Sequence, residues 1–542
     1  MKGDFSMIMN IESLQNKAEW VGAGVKLPLY NVSEMAAKTS ASPIWVHFGA
    51  GNIFRGFVAA LQQKLLDGGH ADKGIIAVET FDYDIIDKIY VPYDNLTMNV
   101  ILNSDSTTSC EIIASVAEAL KADSGDIVSM TRLAAIFSDP GLQMASFTIT
   151  EKGYSLTGAD GLLLPVVEAD IKDGPPQARH AMSVVTALLY KRYQAGKYPL
   201  AVVSMDNCSH NGEKLQSSII KIAEAWKSKG FVEEGFLGYL TDESRISFPW
   251  SMIDKITPRP AQTVADILTG SGIEGMQPII TAKNTYIAAF VNAERPQYLV
   301  IEDKFPNGRP VLEKAGVYMT DRDTVNKVER MKVTTCLNPL HTAMSVYGCM
   351  FGYTRISDEM KDTDIIALIR RLGYVEGLPV VTDPGILSPK AFMDEVMDER
   401  LPNPFMPDNP WRIATDTSQK VGIRFGETIK SYLAQDRDLD ELVSIPLAIA
   451  GWLRYLLAVD DKGNVMEVSS DPLKEELQAK LAGIVWNDPA GYSGQLKGIL
   501  SNPLIFGCDL TQTVLADKIE TMFTEELAGP GAVRATLHKH LV

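Results

Sequence analysis

Short apolar runs alternate with helical patterns in the first 325 residues of the chain. The runs, each of a length typical of a buried strand, are 44–48, 75–78, 144–149 and 200–204. Between the first two runs, apolar residues recur on one face of a helix, namely Ile53, Phe57, Ala60, Leu61 and Leu65. Gly68 and Gly69 then supply a stop signal. Strand, glycine turn, helix and strand make a βαβ unit, and the continued alternation predicts an α/β fold with a doubly wound parallel sheet.

The pattern changes near residue 325, after which helical spacing dominates and strand signals nearly vanish. Apolar residues at helical spacing cover 339–353, 363–372, 426–433, 442–457, 472–481 and 510–527. Residues 1–40 lack a strong period. The sequence therefore predicts an N-terminal extension over 1–40, a doubly wound domain over 41–325 and a mainly α-helical domain over 326–542.

Charge narrows the range of partners. The chain carries a net charge of −17 over 542 residues. An acidic protein repels the phosphates of nucleic acids and of anionic lipids, so we expect neither nucleic acid nor membrane as a partner. The most apolar long stretch, 442–459, contains Pro446 and Arg454 and is short for a membrane span. It is predicted to be a buried helix.

The cysteines point to a reducing compartment. Five are scattered along the chain without a C-x-x-C pair: Cys110, Cys208, Cys336, Cys349 and Cys508. An odd number at wide spacing argues against a disulfide framework and against a structural zinc site. The first twenty residues lack the charged and apolar segments of a secretion signal. These features predict a cytoplasmic protein without a bound metal.

A glycine turn follows the first predicted strand. Gly49-Ala50-Gly51 lets the backbone approach a pyrophosphate at the start of the next helix, although Phe54 replaces the third glycine of the usual fingerprint. A plain tight turn is the alternative. Glu79, at the end of the second strand, is placed to accept ribose hydroxyls and to repel a 2′-phosphate, which favours NAD over NADP. Asp82 and Asp84 are nearby alternatives for this role. The predicted contacts to the dinucleotide are Phe48, Gly49, Ala50, Gly51, Asn52, Ile53, Arg55 and Glu79.

The segment 331–341 carries the strongest chemical signal, a lysine, an asparagine and a histidine at K-x5-N-x2-H spacing. Asn338 is predicted to cap a helix that begins at Pro339, with His341 in the first turn and Lys332 on the chain leading in. A helix N-terminus favours developing negative charge. Such a group suits the reduction of a carbonyl or the oxidation of an alcohol, with Lys332 as the candidate proton carrier.

Further polar clusters follow predicted strands. Asn207 is a candidate amide donor to a substrate oxygen, and Asp254 is a candidate acceptor from substrate hydroxyls. Caps, turns and local ion pairs explain such clusters equally simply. Arg400, Arg412 and Lys420 offer cations for a carboxylate or a polyol, with surface ion pairs as the alternative.

Four of these segments resemble, in this order, motifs of the polyol-specific long-chain dehydrogenase/reductase family, also called the mannitol dehydrogenase family. They are T-x-T-E-x-G-Y at 148–154, S-x-D-N-x-x-x-N-G at 204–212, F-P-x-S-M-x-D-x-I-T-P at 248–258 and K-x5-N-x2-H at 332–341. The resemblance extends from about residue 44 to about residue 424. The Phe54 turn, Pro339 beside Asn338 and the long N-terminal extension depart from the family pattern.

The resemblance implies a metal-independent, NAD-linked enzyme with a Rossmann-type NAD-binding domain over 41–325 and a helical substrate and catalytic domain over 326–542. It also implies residue roles: Lys332 as general acid/base, Asn207 and Asn338 as an oxyanion hole, His341 as a hydrogen-bond partner of the substrate, and Asp254 and Arg400 as substrate contacts. These roles are expectations that follow from the family pattern.

We therefore expect NADH to reduce the keto group of an open-chain sugar or sugar acid. A ketohexuronate such as D-fructuronate, giving D-mannonate, is preferred because Arg400, Arg412 and Lys420 suit its carboxylate. Interconversion of fructose and mannitol, and reduction of tagaturonate, are the alternatives. A non-catalytic dinucleotide-binding regulator is the alternative from another functional class. We expect a small-molecule partner and a monomer or small homo-oligomer.

Overall fold

The computed structural model describes residues 7–542, which form two compact units. Unit 1 contains the described chain up to Asn103 together with Thr107–Val325. Unit 2 contains Ser104–Ser106 and Asn326–Val542. Each unit buries its own set of apolar side chains.

A parallel sheet forms the centre of unit 1. Its strands in chain order are β1 Trp45–Phe48, β2 Ile75–Glu79, β3 Val116–Lys121, β4 Met144–Phe147, β5 Leu200–Ser204 and β6 Ile246–Ser247. They lie side by side in the order β6-β5-β4-β1-β2-β3, and every neighbouring pair is parallel. Read from β3, this is the 3-2-1-4-5-6 order of a dinucleotide-binding fold, in which the order reverses between β1 and β4. The predicted doubly wound sheet is confirmed.

Both faces of the sheet are covered, which explains why its four central strands are fully buried and largely apolar. Val46 and Val78 pack in one buried cluster, whereas Trp45 and Ala77 pack in another. Successive side chains of a strand point to opposite faces. All four residues of β1 are buried, and Phe48 stacks on Phe147 with ring centroids 5.0 Å apart.

Helices and smaller sheets complete unit 1. The α-helices are Lys17–Gly22, Val32–Ala41, Ala59–Asp67, Ile127–Ser138, Thr150–Tyr154, Pro165–Asp173, Ala181–Gly196, Asn211–Ser228, Glu234–Thr241 and Gln262–Gly270, and Arg322–Met331 leads into unit 2. The remaining strands are Met7–Ile8, Val25–Lys26, Thr97–Leu102, Thr108–Ile113, Ser251–Asp254, Ile273–Glu274, Ile279–Ile280, Tyr286–Ile287, Phe290–Glu294, Tyr298–Glu302 and Tyr318–Thr320. π-Helical turns occur at Phe54–Val58 and Ile86–Tyr90.

The described part of the predicted N-terminal extension contains regular elements that pair with unit 1. Strand Val25–Lys26 lies parallel to strand Thr108–Ile113, and strand Met7–Ile8 pairs with Ile273–Glu274. Trp20 is fully buried. Residues 1–6 lie outside the described residues.

Unit 2 is built from helices, which confirms the predicted mainly helical region. Its α-helices are Asn338–Phe351, Ile356–Glu359, Thr363–Arg370, Pro389–Glu395, Pro410–Ala414, Glu427–Ala434, Ser444–Tyr455, Lys474–Lys480, Lys497–Leu500, Pro503–Phe506, Leu515–Glu526 and Ala532–Leu541. π-Helical turns are Lys332–Cys336, Arg371–Gly377, Val396–Arg400 and Gly422–Gly426. Every residue of Ser444–Tyr455 is buried, as predicted for this apolar stretch. None of the helices between residues 7 and 542 combines the length and apolarity needed to cross a membrane.

One tyrosine joins three helices of unit 2. The Tyr347 hydroxyl donates to the Leu447 carbonyl at 2.7 Å and lies 2.9 Å from Glu526 Oε1. A Cβ on Gly451 would lie 2.5 Å from the Tyr347 ring, so a glycine is needed where these helices approach. The core of unit 2 therefore contains a hydrogen-bonded polar centre.

Candidate active site

A cavity of about 740 Å³ opens in unit 1 at the carboxyl ends of β1, β2 and β4. This edge of an open α/β sheet is where such folds bind their ligands. Its lining comes from the segments that follow these strands and from three more distant segments: Gly49, Gly51, Glu79, Thr80, Phe81, Asp82, Tyr83, Ile85, Thr148, Ile149, Thr150, Lys152, Gly153, Val166, Arg179, His180, Ala181, Lys283 and Thr285. Gly49, Gly51 and Glu79 are among the predicted dinucleotide contacts.

The turn after β1 requires glycine. Gly49 has a φ of 102°, and a Cβ there would lie 2.1 Å from the Thr148 carbonyl oxygen. His47 buttresses the same place, because its ring nitrogens lie 2.7 Å from Ser146 Oγ and 2.8 Å from Thr148 Oγ1. Burial lowers the pKa of His47 to about 3, so the imidazole is neutral. The carboxyl end of β1 is thereby held against the carboxyl end of β4.

Glu79 connects the ends of β1 and β2. Its Oε2 accepts the Ala50 N–H at 3.0 Å, and its Oε1 accepts the N–H groups of Thr80 at 2.9 Å and Phe81 at 2.8 Å. The Asp82 N–H adds a longer bond at 3.4 Å. Burial raises the pKa of Glu79, while these backbone bonds oppose the shift. The carboxylate that was predicted to accept ribose hydroxyls therefore also organises the turn.

Two predicted cofactor contacts lie beneath the turn. Arg55 is fully buried, and its guanidinium donates to the Ala288 carbonyl at 2.7 Å and to Asn52 Oδ1 at 3.0 Å. Phe48 belongs to the apolar core. The prediction that Arg55 contacts a phosphate is therefore not supported, because its charge is directed into the protein.

A carboxylate that the sequence did not single out joins two of the motif segments. Asp206 accepts the N–H groups of Ile149 at 2.9 Å and Thr150 at 3.0 Å, and the Tyr154 hydroxyl at 2.5 Å. Thr150 has a φ of 65°, which places both amides toward one acceptor. Asp206 is the acidic position of the S-x-D-N-x-x-x-N-G motif, and this was the available sequence signal. Asp206 fixes the polar ends of β4 and β5 to each other.

Asn211 connects the motif segment 204–212 to the motif segment 248–258. The Asn211 amide donates to the carbonyls of Asp206 at 3.0 Å and Ser251 at 2.9 Å, while its oxygen accepts the Ser251 N–H at 3.0 Å. Asn207 lies exposed in the turn between β5 and the helix that Asn211 begins. Asp254 is buried at the end of strand Ser251–Asp254. The side chains of Asp206 and Asn211 thus join the three motif segments of unit 1 by hydrogen bonds.

In unit 2, the predicted catalytic triplet lies on two successive helical segments that are separated by Leu337. Lys332 is 4% exposed and begins a π-helical turn that continues the helix Arg322–Met331. The Leu337 N–H donates to the Lys332 carbonyl at 3.1 Å, which is an i to i+5 bond. Asn338 and His341 follow in the first turn of the next helix, and both are partly exposed.

The predicted cap at Asn338 is wrong. Leu337 holds the cap position with a φ of −131°, and the helix already includes Asn338. Leu337 separates the π-helical turn from this helix, and it makes no side-chain hydrogen bond to the helix N–H groups. Asn338 is consequently a helical residue whose side chain is not spent on the backbone N–H groups that a cap would satisfy.

The predicted cations of unit 2 differ in their surroundings. Arg400 is 3% exposed at the end of the π-helical turn Val396–Arg400. Arg412 is exposed and pairs with Asp408. Lys420 donates to the carbonyls of Thr415 and Ile413. Burial lowers the pKa of Lys420, and the positive charge of a nearby arginine, Arg424, lowers it as well.

Arg424 is a functional candidate that the sequence reasoning missed. It donates to Thr342 Oγ1, which directly follows His341 on the helix Asn338–Phe351. Burial lowers the pKa of Arg424 to about 10. Its position four residues after Lys420, one helical turn away, was the available signal.

Comparison with known proteins gives matches across most of the chain. The family model for the mannitol dehydrogenase Rossmann domain matches residues 43–314, and the model for the mannitol dehydrogenase C-terminal domain matches residues 324–526. A D-mannonate oxidoreductase of Thermotoga maritima is 51% identical over 98% of this chain and 99% of its own.

Two solved structures of polyol dehydrogenases also match nearly the whole chain. A D-sorbitol dehydrogenase in substrate-free form matches with a TM-score of 0.80 and 25% identity, covering 98% of this chain and all of its own. The mannitol 2-dehydrogenase of Pseudomonas fluorescens, solved as a ternary complex with NAD and D-mannitol, matches with a TM-score of 0.67 and 25% identity. That match covers 98% of this chain and 99% of the other.

Proposed function

Because this chain belongs to the mannitol dehydrogenase family of NAD-dependent oxidoreductases, we propose that it reduces a ketohexuronate such as D-fructuronate to D-mannonate. The family, the Rossmann-type fold and the NAD cofactor agree with the predictions from the sequence. The substrate proposal is carried by the 51% identity to a D-mannonate oxidoreductase over nearly the full length of both chains.

The cavity of unit 1 has the features that NAD needs. Gly49 lets the backbone come close to a ligand, and a Cβ at Gly51 would meet only open space. Glu79 lines the same cavity with a carboxylate held by the turn. NADH, when bound, supplies the hydride for the reduction. We assign its binding to unit 1.

Lys332 is proposed as the proton donor in reduction and the proton acceptor in oxidation. It is buried at a fixed position on a helical segment, as a proton carrier must be. Asn207 and Asn338 are proposed to donate hydrogen bonds to the oxygen on which negative charge develops, an interaction worth about 10²–10³ in rate per donor. His341 is proposed to hydrogen-bond the substrate, and Asp254 and Arg400 to contact it.

The basic residues of unit 2 support a substrate with a carboxylate. Arg412, Lys420 and Arg424 are close enough for the two arginines to perturb the lysine electrostatically. Arginine presents a planar fork that matches a carboxylate, and a second cation strengthens such a site. We propose that this basic group, with Arg400, favours a hexuronate over a neutral ketose.

A substrate panel tests the proposal. Turnover with NADH is measured on D-fructuronate, D-tagaturonate and D-fructose at equal concentrations, and kcat/KM is compared. We expect D-fructuronate to give the highest value and D-fructose to fall at least tenfold below it. Fastest turnover on D-fructose would refute the uronate assignment, and fastest turnover on tagaturonate would redirect it to the other ketohexuronate.

The predicted metal independence is tested by adding a chelator to the same assay. Activity that disappears with the chelator and returns with zinc would contradict it.

A further inference from the structure

A lysine from a distant part of the sequence lies at the mouth of the unit 1 cavity. Lys283 is in the turn between strands Ile279–Ile280 and Tyr286–Ile287, and it lines the same cavity as Gly49 and Glu79. Its ammonium nitrogen lies 4.5 Å from the centroid of the Phe81 ring and 5.6 Å from that of Tyr83. It also donates a hydrogen bond to the Phe81 carbonyl. These contacts bring a positive charge to the end of β2.

The turn that carries Lys283 is fixed to β2 by a buried hydrogen bond. Thr281 Oγ1 donates to Asp82 Oδ2 at 2.5 Å, and both residues are buried. The same hydroxyl oxygen accepts the N–H groups of Lys283 at 3.2 Å and Thr285 at 3.1 Å. The position of Lys283 relative to the end of β2 is therefore set by the fold and not by its flexible side chain alone.

Glu79, the acidic residue expected to repel a 2′-phosphate, has both carboxylate oxygens bonded to backbone N–H groups. Glu79 Oε1 accepts backbone N–H groups from the turn after β2, and Oε2 accepts the Ala50 N–H. Only 8% of Glu79 is exposed. Phe81 links the two opposite charges, since its N–H donates to Glu79 and its carbonyl accepts from Lys283. A ligand group at this end of the cavity meets an exposed ammonium beside a carboxylate that is engaged with the backbone.

We propose that Lys283 binds the 2′-phosphate of NADP(H), so that the cavity accepts NADPH as well as NADH. A phosphate monoester carries about two negative charges at neutral pH. Lysine is a compact charge that binds phosphate well. Phe81 is 63% exposed beside it and offers an aromatic face on which a base can stack. Asp82, the other acidic group of this wall, is already bonded to Thr281.

Equilibrium binding of the two reduced nucleotides tests the proposal without any sugar substrate. The dissociation constants of NADH and NADPH are measured by titration calorimetry at low, fixed ionic strength. For the unaltered protein we expect the NADPH value to lie within tenfold of the NADH value. In Lys283→Met the ratio of the NADPH to the NADH dissociation constant should rise at least tenfold, because only NADPH carries the extra phosphate. Lys283→Arg, which retains the charge, should keep the ratio within threefold of the original.

Lys152→Met is the matched control, since Lys152 is an exposed lysine lining the same cavity from the segment after β4. Its effect on the ratio should be below threefold. Thermal unfolding of each variant checks that the fold is intact. The proposal is overturned if the unaltered protein binds NADPH more than tenfold more weakly than NADH. It is equally overturned if Lys283→Met raises the dissociation constants of NADH and NADPH by the same factor. Lys283 would then contact a part of the dinucleotide that both ligands share.

Discussion

At the scale of single residues, the site depends on side chains whose polar atoms are turned toward the backbone. Glu79 holds the turn after β2, and Asp206 holds the ends of β4 and β5. Gly49 permits an approach that any Cβ would block. The sequence pointed correctly to the place of Gly49 and Glu79 because strand, turn and helix are adjacent in the chain. It gave no indication that Glu79 would be bonded mainly to its own turn.

Replacement of the proposed proton carrier is the sharpest residue-level experiment. Lys332→Ala should lower kcat by about 10²–10⁴, the usual contribution of general acid–base catalysis. The NADH dissociation constant should change by less than threefold, because the cofactor is assigned to unit 1. Steady-state kinetics measure kcat, and titration with NADH measures the dissociation constant.

Lys361→Ala is the control for that experiment. Lys361 is an exposed lysine of unit 2 whose ammonium pairs with Asp358. Its removal should leave kcat within twofold. Unchanged turnover in Lys332→Ala would remove the lysine from the proposed chemistry, whereas loss of NADH binding would point to a disturbed fold.

At the scale of elements, local patterns were readable and distant contacts were not. The apolar runs gave the four central strands of the sheet, since burial on both faces leaves a continuous signature, but not the two edge strands β3 and β6. Arg55 looked like a phosphate ligand because its partner Ala288 is 233 residues away along the chain. The cap prediction at Asn338 failed for a different reason, because the helix after the π-helical turn begins one residue earlier than predicted and Leu337 holds the cap position. Nothing in a residue-type pattern distinguishes such a turn from an ordinary helix end.

The hydrogen bonds of Asp206, which join the segments after β4 and β5, give a prediction at the scale of elements. Asp206→Asn keeps the side-chain shape but replaces a charged acceptor of the Ile149 and Thr150 N–H groups. Hydrogen bonds to charged groups contribute about 1.5–3 kcal/mol. We expect the free energy of unfolding of unit 1 to fall by about that amount and turnover to fall with it, because Asn207 follows directly in the same turn. Denaturant unfolding and steady-state kinetics measure both effects.

Asp242→Asn is a comparison for this variant, since Asp242 is an exposed residue that caps a turn with Ser244 in the same unit. It should change neither stability nor turnover appreciably. Stability of Asp206→Asn equal to that of the unaltered protein would mean that the two segments do not depend on this carboxylate.

At the scale of the whole molecule, stability depends on pH through a buried carboxyl group. Glu526 is fully buried in unit 2, and its Oε1 lies against the Tyr347 hydroxyl. Burial raises the pKa of Glu526 from 4.5 to about 8. The folded protein therefore holds this proton more tightly than the unfolded chain. Stability contributed by the neutral group is complete below pH 4.5 and is lost as the pH rises through 8.

Glu526→Gln should flatten that dependence, because the amide mimics the neutral acid. Between pH 5 and 8 the unaltered protein should lose up to about 1.4 kcal/mol of unfolding free energy per pH unit relative to the variant. Thermal unfolding of both proteins across this range measures the difference. Glu476→Gln, at an exposed helical site paired with Lys480, should run parallel to the unaltered protein. Parallel curves for Glu526→Gln would show that the buried group does not control stability.

The acidic character of the chain, with a net charge of −17, belongs to the same scale. It is the basis for the prediction that nucleic acid is not a partner. The cytoplasmic location and the monomeric or small homo-oligomeric state stay predictions from the sequence.

The wide turn that begins at Lys332 constrains how this protein can be altered. A π-helical turn contains one residue more than an α-turn closed by i to i+4 bonds. Removal of one residue between Lys332 and Asn338 would rotate the Lys332 side chain by about 100° around the local helix axis relative to the helix that contains Asn338. The number of residues in this stretch therefore matters as well as their identity. A chimaera or loop graft that shortens it by one position should be inert even with every named side chain present.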